Sequence, residues 1–199
     1  MELAWGAIVV AALLIPGADF GTPVHALTEG IGAAPPGLRL ALYGLLLFGF
    51  AMKAGMFPLG QLWLPDAHSS APSPISALLS GVMIKTGVYG IVRTLFWMVP
   101  PIVQAQEGRF LGLGLASFGV VTLFVGTIQA LKQHDAKRLH AYHSIGQMGY
   151  ILLGVGTAQY FFLSGSPLLH TLAALALIGG LYHTINHALF KGLLFLCTG

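Results

Sequence analysis

A chain of 199 residues in which 56% are hydrophobic and only 8% are Asp, Glu, Lys or Arg has too little polar surface to cover a globule in water, where about a quarter of residues are usually charged. The formal charge of +3 comes from basic residues scattered singly, apart from the run Lys132-Gln133-His134-Asp135-Ala136-Lys137-Arg138, so no nucleic acid partner is expected and lipid is the natural solvent. The single cysteine, Cys197, excludes an internal disulfide and a Cys-rich cluster, so neither a redox active site nor a cofactor of its own is expected in this chain.

In chain order, six apolar segments are predicted over about 3–15, 38–64, 74–99, 111–131, 145–163 and 168–198. A helix rises about 1.5 Å per residue and a hydrocarbon core is about 30 Å thick, so about twenty residues cross it. The first segment follows Glu2 instead of a basic region and precedes no small-residue cleavage site, which reads as a short first span and not as a signal peptide. The second, third and sixth are longer than a crossing needs and contain Gly, Pro or ionisable residues, which predicts tilted, kinked or broken helices. Residues 16–37, with Asp19 and Glu29, 100–110, with Glu107 and Arg109, and the turn at 164–167 fall on one side. The stretch 65–73 and the Lys132–Arg138 run fall on the other, which the positive-inside rule makes cytoplasmic. The fold class is all-α: a polytopic transmembrane helix bundle of about six spans, read as a single domain over 1–199.

Lys53 lies in the apolar stretch Leu42–Met56 and Lys85 in Ala77–Val92. A lysine at the centre of a spanning helix costs about 2.5–3.5 kcal/mol on insertion scales, so each must face a partner, water or the bundle interior. Taken singly, each lysine is either a titrating switch or one half of a permanent ion pair. The sixth segment adds His183, His187 and Lys191 at four-residue spacing, one stripe of a helix about 12 Å long. Imidazole suits proton transfer because one ring nitrogen accepts while the other donates. The same His-x-x-x-His spacing also fits a metal pair, but that helix offers no carboxylate or thiolate beside it. The proton relay residues are therefore Lys53, Lys85, His183, His187 and Lys191, with Asp66, His68 and His143 as a possible uptake point or loop. Asp66 and His68 read equally as a cap or an ion pair; Tyr142, Ser144 and Gln147 extend the polar start of the fifth helix. Glycines beside the relay, Gly49, Gly55, Gly81, Gly87, Gly179, Gly180 and Gly192, permit either close packing or local unwinding.

Phe57-Pro58-Leu59, Trp63-Leu64-Pro65-Asp66-Ala67-His68 and Ala71-Pro72-Ser73-Pro74-Ile75-Ser76-Ala77-Leu78 resemble the signature of the proton-conducting antiporter-like subunits shared by respiratory complex I, Mrp antiporters and membrane-bound hydrogenases. His134–Leu139 with Ala141–Ile145, then His183–Leu196, resemble two further blocks in the same order, covering about 45 to the end. Ile84–Arg93 and Ala141–Ser144 look most like the branch of hydrogenase-4 component B and the formate hydrogenlyase membrane subunit, whereas Gln147-Met148-Gly149-Tyr150 resembles the complex I and Mrp pattern.

The resemblance implies that Lys53 stands for the family's seventh-helix lysine, which pairs with a glutamate on the fifth helix. It makes Lys85 the connecting lysine of a broken eighth helix, and His183, His187 and Lys191 the central relay. It further implies a proton-translocating subunit of an energy-converting oxidoreductase complex in the inner (cytoplasmic) membrane, partnered by other membrane subunits. The alternatives are an Mrp-type Na+/H+ antiporter subunit and a non-conducting structural membrane fragment. Full members have about fourteen helices; this sequence lacks the fifth-helix glutamate and the twelfth-helix lysine or glutamate, so the polypeptide alone is expected to conduct poorly.

Overall fold

The structure, a computed structural model, describes residues 1–18, 21–98 and 107–198. Asp19, most of the connection predicted over 100–110 and the last residue of the third segment lie outside them. Among the described residues the α-helices are α1 Glu2–Leu14, α2 Val24–Ala33, α3 Pro36–Ala54, α4 Leu64–Ser70, α5 Ser73–Leu78, α6 Ile84–Trp97, α7 Arg109–Leu131, α8 Ala136–Phe162 and α9 Pro167–Cys197. Among the described residues, four stretches are long and apolar enough to cross a membrane: Pro36–Ala54, Ser73–Trp97, Arg109–Leu131 and Pro167–Cys197. Helix α1 has 13 residues, and α8 has the length, at 27 residues, but carries a row of polar side chains that it turns toward its neighbours.

Three boundaries differ from expectation, each for a local reason. Helix α2 occupies part of the Gly/Pro-rich connection; Pro23 precedes its first turn and Ala34 ends it in extended backbone. The second apolar segment does not continue as a helix to residue 64, because Gly55 adopts φ 82° and closes α3 in the left-handed region that glycine tolerates. The segment beyond stays apolar but holds only turns and a short 3₁₀ stretch at Gly60–Leu62, and part of its hydrogen bonding comes from outside. The Trp63 indole donates to the Met52 carbonyl at 3.0 Å and the Phe57 amide to the Thr122 hydroxyl at 3.2 Å, which is the condition for irregular backbone beside lipid. The fifth segment begins earlier than predicted, where the Asp135 carboxylate caps α8 by accepting from the Arg138 amide at 2.7 Å.

The third segment is one span broken by a π-helical turn at Leu79–Met83 between α5 and α6. The core around it joins α3, α6 and α8 through Ala54, Ile84, Ile91, Leu95, Met148 and Ile151, and a second cluster packs α1 and α2 on α3 through Ala11, Ile31, Leu42 and Tyr43. Helices α7 and α8 lie against one another on glycine. A Cβ on Gly119 would sit 2.6 Å from the Leu153 nitrogen, and one on Gly112 2.8 Å from the Tyr160 nitrogen, so only glycine permits this approach. Among the glycines flagged beside the lysines, Gly49 and Gly87 serve close packing, against α1 and α3 respectively, while Gly179 and Gly192 face open space.

Ion pairs tie the ends of the spans. Arg39, near the start of α3, holds both carboxylate oxygens of Glu107 at 2.9 and 3.1 Å. At the other end Arg138 reaches Asp66 at 3.1 Å and the Lys137 ammonium donates to the Ala71 carbonyl at 3.1 Å, so 65–73 and 132–138 share one face.

Candidate proton-relay site

Helix α9 presents His183, His187 and Lys191 toward α6 and α8. The π turn in the third span contains Ser80, whose carbonyl accepts a hydrogen bond from the Lys85 ammonium. The same ammonium lies 2.7 Å from Nδ1 of His187, a residue 102 positions away in sequence. An ammonium only donates, so His187 accepts at Nδ1 and carries its proton on Nε2. That Nε2 is buried and has no hydrogen-bond partner among the described residues. The ring of His183 stacks on that of His187 with centroids 6.2 Å apart and planes 15° apart.

Lys191, one turn further along α9, is fully buried and donates to the His140 carbonyl of α8 at 2.7 Å. The hydroxyl of Ser144 donates to that same carbonyl at 2.9 Å and meets the Ser80 hydroxyl at 2.9 Å. Thus the carbonyl that anchors Lys85 and the one that anchors Lys191 belong to residues joined by a buried serine pair. On the far side, Gln147 of α8 meets Nε2 of His183 at 2.9 Å and Nε2 of His143 at 3.3 Å.

The structure therefore brings Lys85, His183, His187, Lys191 and His143 together, sets His68 at their edge, and separates Lys53 and Asp66 from them. The Lys53 ammonium has no hydrogen bond among the described residues and lies 4.2 Å from the centroid of the Trp5 ring on α1, a cation–π contact. Asp66 and His68, neighbours in sequence, point opposite ways. Asp66 is exposed and pairs with Arg138, whereas His68 is fully buried, stacked on Phe195 of α9 with ring centroids 4.3 Å apart. Both ring nitrogens of His68 lack partners among the described residues. Burial pushes the His68 imidazole down from its ordinary value to about 3, with the charges of Lys191 and His140 acting the same way. Helix α4 thus buries a neutral imidazole at the edge of the site and leaves the carboxylate outside, against their reading as one uptake pair.

Three contributors escape a reading by residue type alone: Ser80, the His140 carbonyl and Phe195. The signal for the α8 face is nonetheless present as His140, His143, Ser144 and Gln147, a three- and four-residue spacing that places all four on one side of a helix. Two surface grooves reach the line. One of about 420 Å³ is bordered by Lys85, Thr86, Tyr89 and Thr184; another, of about 430 Å³, is bordered by His183, Tyr150 and Thr157.

Fold and site together define a helical membrane bundle with a basic, titratable interior. The chain belongs to the NADH:quinone oxidoreductase/Mrp antiporter transmembrane family, whose model matches residues 2–199. It is 40% identical over 194 residues to hydrogenase-4 component B of Escherichia coli (strain K12), covering 96% of this chain and 27% of that protein. Formate hydrogenlyase subunit 3 of the same organism is 40% identical over 165 residues, covering 83% of this chain and 25% of the relative. The chain spans about a quarter of the length of these curated relatives. The fold is similar to a chain of the membrane-bound sulfane sulfur reductase, an archaeal respiratory membrane complex, with a TM-score of 0.67 at 20% identity over 98% of this chain and 52% of that one.

Proposed function

We propose that this chain carries the central proton relay of a proton-translocating membrane subunit in an energy-converting oxidoreductase complex of the hydrogenase-4 or formate hydrogenlyase kind. The observation that carries the reading is the Lys85–His187 contact, with Lys191 buried one turn away and no carboxylate paired to either lysine among the described residues. Two ammonium charges flanking one imidazole in a dry interior cost several kcal/mol unless compensated. Lysines that exchange protons with the imidazole between them avoid carrying both charges at once. Lys85 gives a proton to Nδ1 of His187 and becomes a free amine, while the ring passes its Nε2 proton to hydration water entering from the groove beside Lys85, since no described side chain accepts there; the ring is neutral before and after.

In this reading His183 and Lys191 continue the line, and Lys53 is a second switch that takes a carboxylate partner, as the family resemblance implies. His143 feeds the line from α8, with His68 at its edge and Asp66 outside, paired with Arg138. The chain binds no cofactor of its own, lies in the cytoplasmic membrane with the Lys132–Arg138 face inward, and works against other membrane subunits. The similarity to hydrogenase-4 component B and formate hydrogenlyase subunit 3 supports the oxidoreductase branch; the family's Mrp members keep a Na+/H+ antiporter subunit as the second reading.

The test replaces Lys85 or Lys191 by Met in the full-length protein and measures proton movement in inverted membrane vesicles. The expected result is loss of proton translocation with electron transfer persisting when the membrane is uncoupled. Unchanged proton stoichiometry in both variants removes these residues from the mechanism, and sodium-dependent exchange without any redox substrate transfers the protein to the antiporter reading.

A further inference from the structure

Gln147 sits between two imidazoles that belong to different helices. Its amide oxygen is 2.9 Å from Nε2 of His183 on α9, and its amide nitrogen is 3.3 Å from Nε2 of His143, one turn earlier on α8. An amide has one end that accepts and one that donates. As placed, the oxygen accepts from a protonated His183 Nε2, and the nitrogen donates to a lone pair on His143 Nε2. Turning the amide over reverses both requirements and removes neither. Both hydrogen bonds are satisfied only when one Nε2 of the pair holds a proton and the other holds none.

We infer that Gln147 is a positioning residue that sets the Nε2 protons of His143 and His183 in opposite phase. This deepens the proton-relay reading of the same site and rests on it for its purpose. A proton that arrives on His143 Nε2 meets the amide N–H; the amide turns, its oxygen accepts from His143, and its N–H then faces His183. His183 accepts that N–H only with its Nε2 unprotonated, so the turned arrangement again holds one Nε2 proton in the pair. The amide takes up no proton itself, so Gln147 exchanges occupancy between the two rings and is not a link in the wire.

The groups facing the pair decide which ring is favoured. His183 faces Lys85 of α6, His187 of its own helix and Tyr150 of α8. His143 faces Lys191, Phe190 and His183 of α9 and His140 of α8. A charge on Lys85 and a charge on Lys191 therefore press on opposite members of the pair, and the amide converts that imbalance into exclusive occupancy.

The experiment is a pH series of ¹⁵N-histidine NMR spectra of the full-length protein in lipid nanodiscs, reading Nε2 of His143 and His183. The wild type is expected to show complementary Nε2–H populations, with the second site protonating only in a separate, more acidic step. Gln147→Leu keeps the bulk of the side chain without its hydrogen bonds and is expected to lose the complementarity, the two rings titrating independently. Gln147→Glu accepts at both oxygens and is expected to protonate both Nε2 atoms together. Simultaneous protonation of the two Nε2 atoms in the wild type at neutral pH overturns the inference, as does a complementary pattern that survives in Gln147→Glu. If Gln147→Leu does not fold, the other two proteins decide. Complementary populations without proton flux in vesicles sustain the inference and remove the translocation reading; flux without complementarity does the reverse.

Discussion

Replacing His68 by Phe should remove a defined part of the protein's sensitivity to acid. The imidazole is buried on Phe195, its two nitrogens have no partner among the described residues, and burial holds it down to about 3. In the unfolded chain it titrates near 6.5. As pH falls below that value the unfolded state takes up a proton that the folded state refuses, so stability is lost from about 6.5 downward, until the folded site itself protonates near 3. Between pH 7 and pH 5 the loss assigned to this one group is about 2 kcal/mol. Phe preserves the ring stack with Phe195 and discards two nitrogens whose burial costs about 1–3 kcal/mol each when unsatisfied. His68→Phe should therefore be at least as stable as wild type near pH 7, and its unfolding free energy should fall by about 2 kcal/mol less on acidification. Reversible unfolding in mixed detergent micelles, followed by circular dichroism at the two pH values, measures both. Equal acid sensitivity in the two proteins would show that His68 is hydrated or paired, and the reasoning from its burial would fail.

Gly119→Ala places a methyl 2.6 Å from the Leu153 backbone nitrogen and 3.0 Å from the Gly149 oxygen, so α7 and α8 must separate. The same unfolding assay should register a loss of about 1–3 kcal/mol, whereas Gly44→Ala, with nothing within 4 Å, should be neutral or gain up to about 1 kcal/mol. Arg39→Met strips Glu107 of both hydrogen bonds and the end of α2 of donors to the Gly32 and Ala34 carbonyls. Since Glu107 is a third exposed, the expected loss is about 1–2 kcal/mol, with Arg39→Lys retaining part of it; a loss indistinguishable from zero would show the pair to be dispensable.

The spans were legible wherever hydropathy alone decides them: α1, α7 and α9 lie within a few residues of their predicted limits. Hydropathy fails between 55 and 63 because apolarity says nothing about φ. Gly55 ends the helix while Phe57, Leu59 and Leu62 keep the segment as hydrophobic as a span. It fails again at α2, whose Gly and Pro content resembles a loop. The stripe His183–His187–Lys191 was readable because its members share one helix and one period. The Lys85–His187 contact was not, since it joins two helices at a separation set by the π turn and by close packing that no local pattern encodes. Lys53 shows the converse limit. Its type and position match those of Lys85 in the sequence, yet its side chain points to Trp5 and away from the cluster. Gly112, Gly119 and Gly126 recur every seven residues on α7, a spacing that marks the α8 contact once the two helices are known to be neighbours.

Site-selective ¹⁵N labelling of the Lys85 and Lys191 side chains, read in the full-length protein in membranes at rest and during turnover, addresses the relay itself. If protons move through this line, the two amines change charge in alternation as the reaction is driven and return when it stops. If both remain in one protonation state across the working pH range and throughout turnover, these lysines are static counter-charges and the proton-relay account is wrong.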